Sequence, residues 1–332
     1  MTAQRARCDG RHWVSSLAAA SRRVLDLGCS ARLAPAMGVT CYYRKTLHPL
    51  GCALPDRGRR ETAGLRTGTD SARLLARDPF DAQDRDMFPI LFRDEHLVAI
   101  HKPTDLLVHR TTIDAHERRV TLQLLRQQLG RRVYPVHRLD KGASGVLLFA
   151  LSREVGQALN ALFAHRQVQK TYLAVVRGYP PEYGEIDHPL THRRDGFDGL
   201  RATGAPSARE AITRFRRLAA VELPHRVDRY PTSRYALVQL EPLTGRHHQL
   251  RRHLKHISHP IIGDATYGKS GHNRLFHSVL GCRRLLLACV ELQLAHPVTG
   301  ERLVCTAALA ADFANLLQTL SWEAALPPRW LP

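Results

Sequence analysis

Apolar and polar positions fall into short regular runs only after residue 86. ILFRDEHLVAIHKP, from residue 90, places two apolar stretches of strand length around Asp94 and Glu95, which predicts a hairpin. TLQLLRQQLG predicts a helix started by Thr121 and stopped by Gly130. GVLLFAL, residues 145 to 151, is a continuous apolar run of strand length. Ser152 then offers a cap to a helix with Val155, Ala158, Leu159, Leu162 and Phe163 on one face. KTYLAVVRG and SRYALVQLEP alternate as strands, separated by a stretch rich in Gly, Arg and Asp around 192 to 209 that predicts a mobile loop. A basic helix, a loop with two glycines, a strand at 285 to 293, a hairpin at HPVTGE and a closing helix near 311 to 320 complete the pattern. Strands mixed with helices and hairpins, without regular βαβ alternation, predict an α+β domain on a mostly antiparallel sheet.

Residues 1 to 86 lack any such period and carry 15 basic and 9 acidic residues and four of the seven cysteines. This part is expected to be disordered. Five arginines (Arg5, Arg7, Arg11, Arg22 and Arg23) loosely fit an organellar transit peptide. The reading with more weight is an appended or mis-started extension, with the working protein spanning 87 to 332 from Met87.

Charge changes the picture next. Lys and Arg total 49 against 30 Asp and Glu, a formal +19, and 87 to 332 alone keeps 34 basic and 21 acidic residues, or +13. That excess favours a polyanionic partner. The cysteines show no C-x-x-C pair, which predicts reduced thiols in a cytoplasmic protein. No apolar stretch near the opening segment has the length of a spanning helix, so no membrane association is expected.

Three stretches look chemical. GDATYGKS, residues 263 to 270, satisfies the phosphate-loop pattern G-x-x-x-x-G-K-[ST]. Yet Asp264 would repel phosphate, and Gly271 stands where a helix is needed, so a nucleotide hydrolase is not expected. TGRHHQLRRHLKHISHP holds four Arg/Lys and five His between Arg246 and His259 and no acid. His253, His256 and His259 recur at steps of three but lack a carboxylate, and no metal is expected. On a helix, Leu250, Leu254 and Ile257 form a buried stripe, His248, Arg252, Lys255 and His259 lie opposite, facing phosphates, and Arg251 sits on the flank of a cleft. Finally, HRLDKGASG sets a lone carboxylate, Asp140, among His137, Arg138 and Lys141.

HRLDKGASGVLLFA, KTYLAVVRG, TGRHHQLRRHL with HPIIGDATYG, and LQLAHPVTGE together resemble the RluA-type pseudouridine synthases over about residues 87 to 325. The resemblance implies the pseudouridine synthase fold with a central catalytic cleft. It implies isomerisation of uridine in tRNA, at uridine 65, by a monomer that needs no cofactor; a ribosomal RNA substrate and a non-catalytic RNA-binding protein are the alternatives. Asp140 is then the nucleophile and Arg251 its ion-pair partner. Tyr172 is expected against the uracil, and Arg138 in the place that the flipped nucleotide vacates. Lys102, Arg246, His248, Arg252 and Lys255 are expected to bind RNA. Two departures stand out. The family usually writes N-K-P-x-G where this chain has His101 to Asp105, and L-H-A where it has Leu287, Ala288 and Cys289.

Overall fold

The computed structural model describes residues 88–109, 119–191 and 207–332, so the expectations for residues 1 to 86 lie outside it. The predicted first hairpin forms from β1 (Ile90–Arg93) and β2 (Leu97–Lys102). Asp94 makes its turn by accepting the amides of His96 and Leu97 at 2.7 Å each. Helix α1 (Thr121–Leu129) stops at Gly130, whose φ of 64° suits a residue without Cβ. Its start differs from the expectation: Val120 occupies the cap, and the Thr121 hydroxyl donates to Leu107 O rather than to the helix.

A two-residue strand, β3 (Tyr134–Pro135), leads through the segment carrying Asp140 into the wholly buried β4 (Ser144–Ala150). Ser152 accepts from Val155 N and caps α2 (Arg153–Ala164) as its spacing predicts. Then follow β5 (Gln169–Arg177), β6 (Tyr183–Asp187), β7 (Leu190–Thr191), β8 (Ala208–Arg209), β9 (Ile212–Leu223) and β10 (Ser233–Pro242). The stretch predicted as a loop around 192 to 209 thus ends in a strand, because Leu190 and Thr191 pair with Arg209 and Ala208; residues 192–206 lie outside the described part. Helices α3 (Gln249–His256) and α4 (Ser270–Leu280) precede β11 (Leu287–Ala295), β12 (Arg302–Thr306) and α5 (Ala311–Thr319).

The fold is α+β. The main sheet runs β1-β2-β4-β11-β5-β10-β9-β6, with β12 on β11 and β3 on β4. All its pairings are antiparallel except β4 with β11. Strand alternation sorts the core by face. Tyr172, Ala174, Val238, Leu240 and Cys289 pack on one side, while Leu173, Val175, Tyr235, Leu237 and Ala288 pack on the other with α5. Ala288 therefore lies in the core of the second face, away from Tyr172. Among the described residues, no helix is long and apolar enough to cross a membrane.

Candidate active site

The segment between β3 and β4 is clamped at both ends. At its entrance His137 Nε2 accepts from Leu148 N at 2.9 Å, and the ring stacks on Phe163. Burial, with a lesser push from Lys170, drives the pKa of His137 down to about 3, so the imidazole is neutral and structural. At its exit the fully buried Lys102 reaches from β2 and donates to Pro103 O, Lys141 O and Ala143 O at 2.8, 3.1 and 2.8 Å. Burial pulls the Lys102 pKa to about 7, against the raising charge of Asp140. Three carbonyl acceptors need three N–H groups, so this geometry holds the ammonium form. The expectation that Lys102 binds RNA is corrected: its head is consumed by backbone carbonyls inside the protein.

Between these clamps Ala143 N donates to Asp140 O in a tight turn, and the Asp140 carboxylate looks into the first face of the sheet, 17% exposed. Arg251 comes from α3. Its Nη1 donates to Asp140 Oδ2 at 3.2 Å. The rest of its fork is bidentate to a second carboxylate, Asp264, with Nε to Oδ2 at 2.7 Å and Nη2 to Oδ1 at 2.8 Å. Burial opposes the Arg251 cation, but the bond to Asp264 and the charges of Asp140 and Asp264 outweigh it, and its pKa is raised.

Asp264 is the residue to which sequence reasoning gave no role at the site. Its side chain is sealed from solvent, and besides the guanidinium it accepts Thr266 N and Tyr267 N at 2.8 and 2.9 Å. Burial works to raise its pKa, yet the Arg251 hydrogen bond and those two amides bring the net below the ordinary value. Helix α4 does begin at Ser270, directly after GDATYGK, contrary to expectation. The loop still fails as a phosphate cradle, because its inward amides are occupied by its own Asp264. The pattern had contained the signal, an acid inside a loop of inward N–H groups, but only the fold shows which cation it serves.

Tyr172, on β5, is buried beside Cys289, and burial with that neighbour raises its pKa well above the ordinary phenol value. Cys289, one of the departures, is pushed up to about 12 by burial and is a neutral thiol. Arg138 is exposed. His248 corrects another expectation. A φ of 53° at the residue preceding α3 turns it away from the outer helix face and into the site. Its Nε2 lies 3.9 Å from Asp140 Oδ1, and Nδ1 is 3.2 Å from Tyr267 OH. Burial pulls its pKa to about 4, with Asp140 pulling the other way, so the ring is neutral near pH 7.

The remaining basic residues differ in what they touch. Lys255 is exposed on α3, and Arg252 donates to Thr191 O and Oγ1. Arg246, half-buried, donates to Glu210 O. His253, by contrast, is fully buried, with Nδ1 on Thr213 Oγ1 and Nε2 on His188 O.

This carboxylate with its shared guanidinium lies inside a recognised sequence pattern. Residues 96–256 match the family model described as RNA pseudouridylate synthase. The chain is 45% identical over 234 residues to the tRNA pseudouridine synthase C of Pasteurella multocida (strain Pm70), covering 70% of this chain and 96% of that one. It is 47% identical over 241 residues to the protein of that name from Pectobacterium carotovorum subsp. carotovorum, covering 73% of this chain and 64%, just under two thirds, of that one. Among solved structures, human RNA Pseudouridylate Synthase Domain Containing 4 superposes with a TM-score of 0.52 at 30% identity, over 70% of this chain and 93% of that one.

Proposed function

The chain belongs to the RNA pseudouridylate synthase family, and from that premise we propose that it isomerises uridine to pseudouridine in tRNA, at uridine 65, with Asp140 as the nucleophile. The observation that carries the reading is the Asp140–Arg251 pair at 3.2 Å, with the carboxylate partly exposed. The tRNA substrate follows the names of relatives at 45–47% identity.

The reaction breaks the N1–C1′ bond of uridine, turns the uracil and joins C5 to C1′. It is an internal rearrangement, so one carboxylate that attacks and later leaves is sufficient. Arg251 orients Asp140 through Oδ2, while Oδ1 lies 3.9 Å from His248 Nε2. The Tyr172 phenol, neutral through burial, gives the uracil a flat wall to turn against. A uridine inside a stem must first be everted, at a cost of a few kcal/mol, and exposed Arg138 is the side chain to fill its place.

The test is pseudouridine mapping of tRNA and ribosomal RNA after reaction with the wild-type chain and with Asp140→Asn. Pseudouridine at tRNA position 65, lost in the variant while RNA affinity is kept, is the expected result. Product made by the variant would falsify the nucleophile, and modification of ribosomal RNA alone would move the substrate.

A further inference from the structure

The end of the β9–β10 hairpin, residues 224 to 232, presents charge and an aromatic ring that the active site does not use. Its one acid, Asp228, is 40% exposed and paired with cations from β5 and the start of α4. Asp228 Oδ2 accepts from Arg177 Nη2 at 2.9 Å and lies 3.2 Å from His272 Nε2 and 3.9 Å from Lys269 Nζ. Those contacts pin the hairpin end to the start of α4, where Val227 also packs over Gly271. With Asp228 neutralised, the outward charge is that of Arg226 and Arg229, both exposed. The Arg229 guanidinium lies over the Tyr230 ring, 4.7 Å from its centroid, and Tyr230 is 57% exposed.

A ring that solvates poorly is held outward on a basic loop that a surface ion cluster keeps in shape. That combination suits a polyanion with flat bases: guanidinium groups for phosphates and a phenol face for a base or ribose. The hairpin end also connects physically to the site. Lys269, which faces Asp228, closes the loop whose other end, Asp264, holds Arg251. Along β5, Arg177 lies five residues beyond Tyr172, about 17 Å at strand spacing and on the opposite face of the sheet.

We propose that Arg226, Arg229 and Tyr230 form a second RNA contact surface, which grips the strand flanking the everted uridine. The proposal rests on the RNA-isomerase reading above and adds to it where the substrate is held. It gives the hairpin a role in binding and none in bond making.

The experiment compares the full-length wild type, Arg226→Ala/Arg229→Ala/Tyr230→Ala and a charge-matched control, Arg153→Ala/Arg302→Ala. KM and kcat are read on a tRNA transcript, and RNA affinity against salt is read with Asp140→Asn added to each. The triple variant is expected to raise KM about tenfold or more, as loss of a stacked base and phosphate contacts implies, with kcat at saturation unchanged. Its slope of log affinity against log salt should fall by about 1.5, two phosphate contacts' worth. The control should alter neither. Restoring charge and ring with Arg226→Lys/Arg229→Lys/Tyr230→Phe should recover the slope. If KM and slope match the wild type or the control, or if kcat falls at unchanged KM, the surface is not an RNA contact. Should the triple variant lose its melting transition, Tyr230→Ala alone carries the same KM criterion. A wild type that makes no pseudouridine would sink the isomerase reading, and the affinity arms would still judge the surface.

Discussion

Asp264 holds Arg251 by two bonds of 2.7 and 2.8 Å and leaves Asp140 one bond of 3.2 Å. The fully enclosed carboxylate fixes the guanidinium plane, and the half-open one receives a single N–H. Asp140 is thus oriented through one oxygen while the other stays available.

Asp264→Asn puts an amide N–H against the guanidinium and lets the fork turn. A displacement of about 1 Å in a reacting geometry costs on the order of a hundredfold. Single-turnover pseudouridine formation is expected to slow by roughly tenfold to a hundredfold, with RNA affinity retained. Arg251→Lys, which cannot bridge two carboxylates in a plane, should slow it at least as much.

Lys102→Met leaves three carbonyl groups without their donor inside the protein. Urea unfolding should report a loss of about 2–4 kcal/mol, since each unsatisfied buried acceptor costs about 1–3 kcal/mol and such costs do not add fully. The salt dependence of RNA binding should stay at the wild-type slope, because the Lys102 head faces backbone and not the RNA.

Acid stability isolates His253. Burial lowers its pKa from 6.5 to about 4 in the folded chain. Between those values the unfolded chain binds a proton that the folded one refuses, so stability rises with pH across that window. It is therefore lost as pH falls from about 6.5 to about 4, by on the order of 3 kcal/mol from this residue at about 1.4 kcal/mol per unit. Denaturant melts from pH 7 to 4 should show a shallower decline for His253→Gln than for the wild type.

Gly145→Ala tests the parallel seam between β4 and β11. Gly145 has φ +110°, and a Cβ there would lie 2.0 Å from the Cys289 carbonyl oxygen. Backbone meets backbone, so neither side can yield. The variant is expected to fail to accumulate as folded protein, judged by soluble yield and by the absence of a cooperative melt.

Periodicity made most of the elements legible. The β1–β2 turn at Asp94, the Ser152 cap and the Gly130 stop depend on neighbours within a few residues, where local chemistry decides. The Asp140–Arg251 pair could be anticipated from wording shared with a family, although 111 positions separate the two residues. What could not be read was the direction in which a charged head points. Lys102 looks like any surface lysine until the turn after Asp140 folds over it. The positive φ at His248 swings that ring from the helix flank into the cleft, and Asp264 fits a phosphate-loop pattern whose interior it fills itself. Each of these depends on contacts that no window of the sequence contains.

The 111-residue span between Asp140 and its guanidinium also orders events at the ribosome. During synthesis Asp140 emerges long before the guanidinium that will hold it, and Arg251 emerges before Asp264, the side chain that locks it. A product cut short ahead of residue 264 therefore carries an intact HRLD segment without the carboxylate that fixes Arg251. The three-residue ion cluster is complete only once residue 264 has been made.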